Sequence, residues 1–178
     1  MKDLIEHLRR HALRTDGPFT LRSGAQSAWY LDARQTTYSG AGARLVGEAV
    51  LEVLDEAAVA IGGMTMGADP VALAAAMVGA GRERPLRAFS IRKEVKDHGA
   101  GGRLVGPVQR ADVVAVVEDT ITTGGALLEA VDVLEGEGIQ VIQAITLVDR
   151  SDGVAARRIG QRGIPFVALL RPADLGVE

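Results

Sequence analysis

The 178-residue chain contains no cysteine, which excludes disulfides and thiolate metal sites and fits a reducing cytosol. Aromatic residues make up only 3% of it, so a core must be built from Ala, Val, Leu and Ile. No apolar run approaches the length of a membrane span, and Met1-Lys2-Asp3-Leu4 does not open a signal-peptide apolar core; a soluble cytoplasmic protein with no membrane partner is expected. Basic excess is also missing. A net charge of −3 gives no support for a nucleic-acid surface, since binders of the phosphate backbone usually carry surplus Lys and Arg. What the chain has in quantity is apolar aliphatic residues, 47% hydrophobic against 24% charged, enough for one domain with a full-sized core.

Its organising stretch is Val113–Ala126. Val113-Val114-Ala115-Val116-Val117 is a continuous apolar run rich in β-branched residues, the pattern of a strand buried on both faces. Glu118 and Asp119 follow, then the small-residue turn Thr120-Ile121-Thr122-Thr123-Gly124-Gly125. From Ala126, Leu127, Ala130, Val131 and Leu134 recur at helical spacing. Unpaired N–H groups at a helix N-terminus attract phosphate, glycines let the backbone approach closely, and threonine hydroxyls add donors. The two carboxylates would repel a phosphate, and suit ribose hydroxyls, a divalent ion, or positive charge developing on a sugar ring. An ordinary buried strand with a solvated acidic turn and a helix cap would also contain these residues. Neither G-x-x-x-x-G-K-[ST] nor G-x-G-x-x-G occurs in this stretch.

Around it, the apolar spacing predicts a first helix through Leu4, Ile5, Leu8, Ala12 and Leu13, ended by the turn Asp16-Gly17-Pro18. Phe19–Gly24 and Ala28–Asp32 read as a hairpin forming a small hood. A helix over 40–55 follows, then a strand over 58–61, a glycine-rich loop Gly62–Pro70 and a helix over 71–78. Further strands are expected at 86–91, 113–117, 140–148 and 166–170, with helices at 126–135 and about 154–161. This alternation predicts an α/β fold: a doubly wound, mainly parallel sheet flanked by helices, with a hood over residues 1–38 and a core over 39–178. Ligands in such sheets bind beyond the C-terminal ends of the strands, where the glycine-rich loops fall.

Residues 92–103 carry four Lys/Arg against two acids, a local excess of +2 in a net acidic chain, with three glycines among them. No strand pattern covers them, so a flexible, basic loop over 92–106, able to close on an anionic ligand, is expected.

The order apolar strand, Glu-Asp, Thr-x-Thr-Thr-Gly-Gly resembles the phosphoribosyl-diphosphate (PRPP) motif of type I phosphoribosyltransferases. Arg92-Lys93-x-x-Lys96-Asp97-His98-Gly99 narrows the resemblance to orotate phosphoribosyltransferases, and Thr20–Gly24, Gly63–Pro70 and Val148-Asp149-Arg150 extend it over essentially the whole chain. The resemblance implies transfer of ribose 5-phosphate from PRPP to orotate in pyrimidine synthesis, with Mg²⁺, in a homodimer with shared active sites. It implies that Thr120, Ile121, Thr122, Thr123, Gly124, Gly125 and Ala126 cradle the 5-phosphate, and that Glu118 and Asp119 face the ribose hydroxyls. Arg92, Lys96 and His98 would grip the diphosphate, with Lys93 reaching the neighbouring subunit's site. Lys96, Asp119 and Glu118 are the catalytic candidates; Thr122 and Arg150 match orotate contacts, with Arg22 and Tyr30 as further candidates. No protein ligand is expected on the metal directly, which PRPP oxygens and water would hold. Met66 stands where some relatives carry lysine. Transfer to another base, and a PRPP-sensing regulator, are the rival readings; the basic loop and Arg150 speak against the first, the acidic net charge against the second.

Overall fold

The computed structural model describes residues 1–20, 24, 26–96 and 102–178. Its centre is a six-stranded sheet in the order β10-β9-β8-β5-β6-β7, formed by β5 (Ala60–Met64), β6 (Arg87–Lys96), β7 (Gly102–Val105), β8 (Val113–Ile121), β9 (Gln140–Asp149) and β10 (Phe166–Leu170). Every neighbouring pair is parallel except β6–β7.

The sheet's two faces explain the uninterrupted apolar run of β8. Ala115 and Val117 pack into a cluster with residues of α1 (Lys2–His11), α3 (Gly40–Val53) and α4 (Ala68–Ala80). Val114 and Val116 join the opposite cluster with Leu127, Ala130, Val131 and Leu134 of α5 (Gly125–Gly136) and Ala155 and Ile159 of α6 (Val154–Gly160). A strand covered on both faces has no side for polar residues, so alternation disappears. Ser39 caps α3 by accepting a 3.1 Å hydrogen bond from Gly42 N–H. No helix among the described residues is long and apolar enough to cross a membrane.

The N-terminal segment pairs antiparallel from Phe19–Thr20 as expected, but with Gln26–Ser27 rather than with Ala28–Asp32. After α1, β1 (Leu13–Arg14) pairs with β4 (Tyr30–Leu31), and β2 (Phe19–Thr20) pairs with β3 (Gln26–Ser27), both antiparallel. Leu13, read as the helix's last apolar position, instead opposes Leu31 in that ladder. A short helix α2 (Arg34–Thr37) and a final 3₁₀ turn (Pro172–Leu175) carry no pattern long enough to predict them.

The basic stretch is also corrected. Rather than leaving the sheet, β6 continues to Lys96 and β7 returns beside it, pairing Ser90 with Val105, Ile91 with Leu104 and Lys96 with Gly102. Residues 97–101, which include the candidate His98, lie outside the described residues, as does Arg22. The polar composition hid the strands because this hairpin forms the sheet's edge, where charged side chains are favoured.

From β5 the chain builds outward through β6 and β7, then returns to β8 on β5's other side and continues to β9 and β10. The strand order therefore reverses between β5 and β8, and the crevice beyond their C-terminal ends is the expected ligand position.

Candidate active site

A cavity of about 760 Å³ opens at that crevice. Its floor is the end of β8. Glu118 and Asp119 lie there beside the loop that follows β5, whose Thr65–Met66 peptide is cis. A Cβ on Gly67 would stand 2.6 Å from both Glu118 Oε1 and Asp119 Oδ1. A side chain there requires one of the two carboxylates to move. Gly67→Ala is therefore expected to displace one of the two carboxylates and lower kcat/KM at least about tenfold with little change in melting temperature. Steady-state kinetics and a thermal melt check it; unchanged kinetics would show that the loop yields freely.

Burial dominates the electrostatics of the pair. It pushes the Glu118 carboxyl up to about 8, with further contributions from Asp119 beside it and from Asp69, while Lys93 opposes the rise. The Asp119 carboxyl is also raised, first by burial, against the pull of Thr120 N–H and Arg34. That N–H donates to Asp119 Oδ1 at 2.7 Å. Glu118 Oε2 and Asp69 Oδ1 are buried without a hydrogen-bond partner among the described residues. At neutral pH the unliganded site therefore holds its proton on Glu118. Positive charge brought near the pair favours the ionised form of Glu118.

The turn after β8 has the geometry of an anion cradle. Gly124 adopts φ +81°, a left-handed conformation that side chains strain to reach, and it starts α5 without a side-chain cap. The first N–H groups of α5 are left for a ligand or water, and Thr122, Thr123, Gly125 and Ala126 are exposed around them. Ile121 differs: its side chain is in the core, and its carbonyl accepts from Arg150 N–H at 2.8 Å. Any ligand contact it makes is through the backbone.

Two residues given no site role by their sequence pattern hold this neighbourhood. Arg158 on α6 donates to the carbonyl of Thr123 at 2.6 Å, fixing the turn from outside. Arg103 on β7 donates to the carbonyl of Arg92 at 2.7 Å and pairs with Glu129 of α5, so the edge hairpin is clamped to the helix that begins at the cradle. Both link elements distant in sequence, and no local spacing announces them.

The remaining candidates fall as follows. Lys93, which the resemblance assigns to a neighbouring subunit, lines the cavity of its own chain; Arg92 is half-buried on β6. Lys96 is placed by its backbone at the end of β6. Tyr30 and Arg150 line the same cavity from opposite ends of the chain. Arg150 is half-buried, forms no ion pair among the described residues, and has an Nε without a partner. Burial lowers its pKa. An unpaired guanidinium in a cleft is suited to a ligand carboxylate, which it can hold through two parallel hydrogen bonds.

No protein-family model matches the chain. It is 43% identical to orotate phosphoribosyltransferase of Corynebacterium glutamicum over 177 residues, covering 99% of this chain and 94% of the relative. It is 37% identical to the Streptomyces coelicolor enzyme of the same name, covering 99% and 97%. Among solved structures, the Mycobacterium tuberculosis orotate phosphoribosyltransferase in complex with PRPP superposes with a TM-score of 0.81 at 34% identity, covering 98% of both chains.

Proposed function

The chain belongs to the orotate phosphoribosyltransferase family, and we infer that its cleft transfers ribose 5-phosphate from PRPP to N1 of orotate, giving orotidine 5′-monophosphate and diphosphate. The observation that carries this reading is that two buried carboxyls share one cavity with Thr120 and Ala126, which flank an uncapped, left-handed helix start. The 5-phosphate sits on the N–H groups of Thr122–Ala126, and Glu118 and Asp119 face the ribose hydroxyls. Arg150 meets the orotate carboxylate, with Thr122 and Tyr30 near the ring. Arg92, Lys96 and His98 meet the diphosphate.

Catalysis on this arrangement needs no protein nucleophile. Orotate, its N1 proton lost to solvent, attacks C1 of the ribose through N1 as the bond to diphosphate stretches, so the sugar acquires oxocarbenium character. The negative forms of Glu118 and Asp119 favour that developing positive charge. Interaction that strengthens in the transition state lowers the barrier, whereas equal binding of ground state and transition state does not. The basic side chains offset the charge on the departing diphosphate, and the cleft limits access of water to the cation-like sugar.

Mg²⁺ is the proposed cofactor. Among the described residues no group of three or more candidate ligands converges. PRPP oxygens and water would hold it, and Glu118 and Asp119 are carboxylates lining the same cavity. When bound, Mg²⁺ supplies positive charge to the diphosphate.

A homodimer is the proposed assembly. Helix α4 carries no charged residue after Asp69 and is apolar all round, the composition of a buried helix, yet Leu73 and Met77 are 56% and 75% exposed on it, and nearby Met66 is 60% exposed. A second copy covering this face would remove that surface from water. Met77→Glu is expected to shift the protein toward monomer by about tenfold or more in dimer dissociation constant. Sedimentation velocity over a dilution series checks this; an unchanged distribution would place the contact elsewhere.

The activity itself is tested by following orotate's ultraviolet absorbance with PRPP and Mg²⁺, omitting each in turn. Loss of absorbance only in the complete mixture is expected. Diphosphate release with uracil or a purine but not with orotate would overturn the substrate assignment.

A further inference from the structure

Trp29 is the only tryptophan of the chain, and it sits half-buried where three distant segments meet. Its indole N–H donates to the main-chain oxygen of Glu178 at 2.7 Å, across 149 residues of sequence. Its own carbonyl accepts from the Ser27 hydroxyl at 2.7 Å, so backbone and ring are held at separate points. The 3₁₀ turn that leads to Glu178 is itself tied to α1, with Arg9 Nε donating to the carbonyl of Leu175 at 3.0 Å. The indole is thus fixed from both ends of the chain.

Over its face lies the guanidinium of Arg150, with Cζ 4.6 Å from the ring centroid. That cation has no carboxylate partner among the described residues, and the indole face is a cation–π neighbour to it, with Tyr30 also acting on its charge. Arg150 also stands between two spaces. It lines the active-site cavity and, on its other side, a second cavity of about 570 Å³ bounded by Trp29, Arg171, Pro172 and Glu178. A long side chain with several rotatable bonds can point into either. The aromatic face limits that freedom, which would otherwise be lost on binding.

We propose that Trp29 is a positioning residue for Arg150: the indole, latched to Glu178, presents the guanidinium to the carboxylate of the pyrimidine substrate. The inference rests on the reading that Arg150 meets that carboxylate, and it adds how the chain aims it. An aromatic face is needed for this, whereas the indole N–H serves only the latch.

Kinetics of Trp29→Leu, Trp29→Phe and Arg150→Met test it. Trp29→Leu is expected to raise KM for orotate about tenfold while kcat and KM for PRPP stay within about twofold of wild type. Trp29→Phe keeps a face for the cation and should recover most of that loss. Unchanged KM for orotate in Trp29→Leu would overturn the proposal, as would a parallel worsening of all three constants with a lowered melting temperature. Arg150→Met separates the two levels: if it leaves KM for orotate unchanged, the assignment of Arg150 to the carboxylate fails, and if it raises that KM while Trp29→Leu does not, only the positioning role fails. Fluorescence supplies a readout independent of turnover. Emission of the single tryptophan in unliganded protein should shift in Arg150→Met, and an unchanged spectrum would overturn the contact.

Discussion

Replacing Glu118 with glutamine is expected to cut turnover on the order of a hundredfold while raising the melting temperature at pH 8. Both effects come from one cause. In the folded chain burial and Asp119 push the Glu118 carboxyl up to about 8, against 4.5 for the free group. Below pH 4.5 the carboxyl is protonated in folded and unfolded chains alike, and its stability contribution is fully present. As pH rises, the unfolded chain loses the proton first and gains stability, so the folded state is progressively weakened until pH passes about 8. The full difference at high pH is on the order of a few kcal/mol. Glutamine cannot ionise, so the variant escapes this loss. Its melting temperature should match wild type near pH 4 and exceed it increasingly toward pH 8. Activity should move the other way, because glutamine offers no negative charge to a cationic sugar. In wild type, kcat/KM for PRPP should rise with pH through about 8, and the variant should lack that limb. A variant whose melting temperature tracks wild type at every pH would show that Glu118 is not held uncharged by its surroundings.

Lys96→Ala carries the second large expectation: kcat lowered about a hundredfold or more, with the dissociation constant for PRPP changed by less than about threefold. Lys96 ends β6, on the strand whose partner β7 is clamped to α5 by Arg103 and Glu129. Its backbone continues the strand that carries Lys93, which lines the cleft. Negative charge accumulates on the diphosphate as its bond to the sugar breaks, so a cation there gains most in the transition state. Single-turnover rates alongside equilibrium PRPP binding separate the two constants. Weakened binding with normal turnover would reduce Lys96 to a ground-state contact.

The parts legible in sequence are those with local causes. The run Val113–Val117 announces a strand covered on both faces, and Gly124 marks a backbone that had to turn left-handed at a helix start. The order of strands and helices followed from the same periodicities. The edge hairpin did not, because an edge strand needs few apolar residues and Arg92–Lys96 reads as a polar loop. The hood's pairing of Leu13–Arg14 with Tyr30–Leu31 was hidden because its strands are two residues long. Arg158, Arg103 and Trp29 were illegible for another reason. Their partners Thr123, Glu129 and Arg150 are brought near only by the fold, and no spacing within one segment encodes such contacts. The same holds for Gly67, whose need to be glycine comes from carboxylates on a different strand.

The claim at the centre is that the turn after β8 receives the phosphate and the buried carboxyls receive the sugar. A crystal structure of the chain with PRPP and Mg²⁺ tests it most directly. The account predicts the 5-phosphate within hydrogen-bonding distance of the N–H groups of Thr122–Ala126, and the ribose hydroxyls on Glu118 and Asp119. A phosphate bound away from that turn, or a ribose whose hydroxyls meet neither acid, would contradict it.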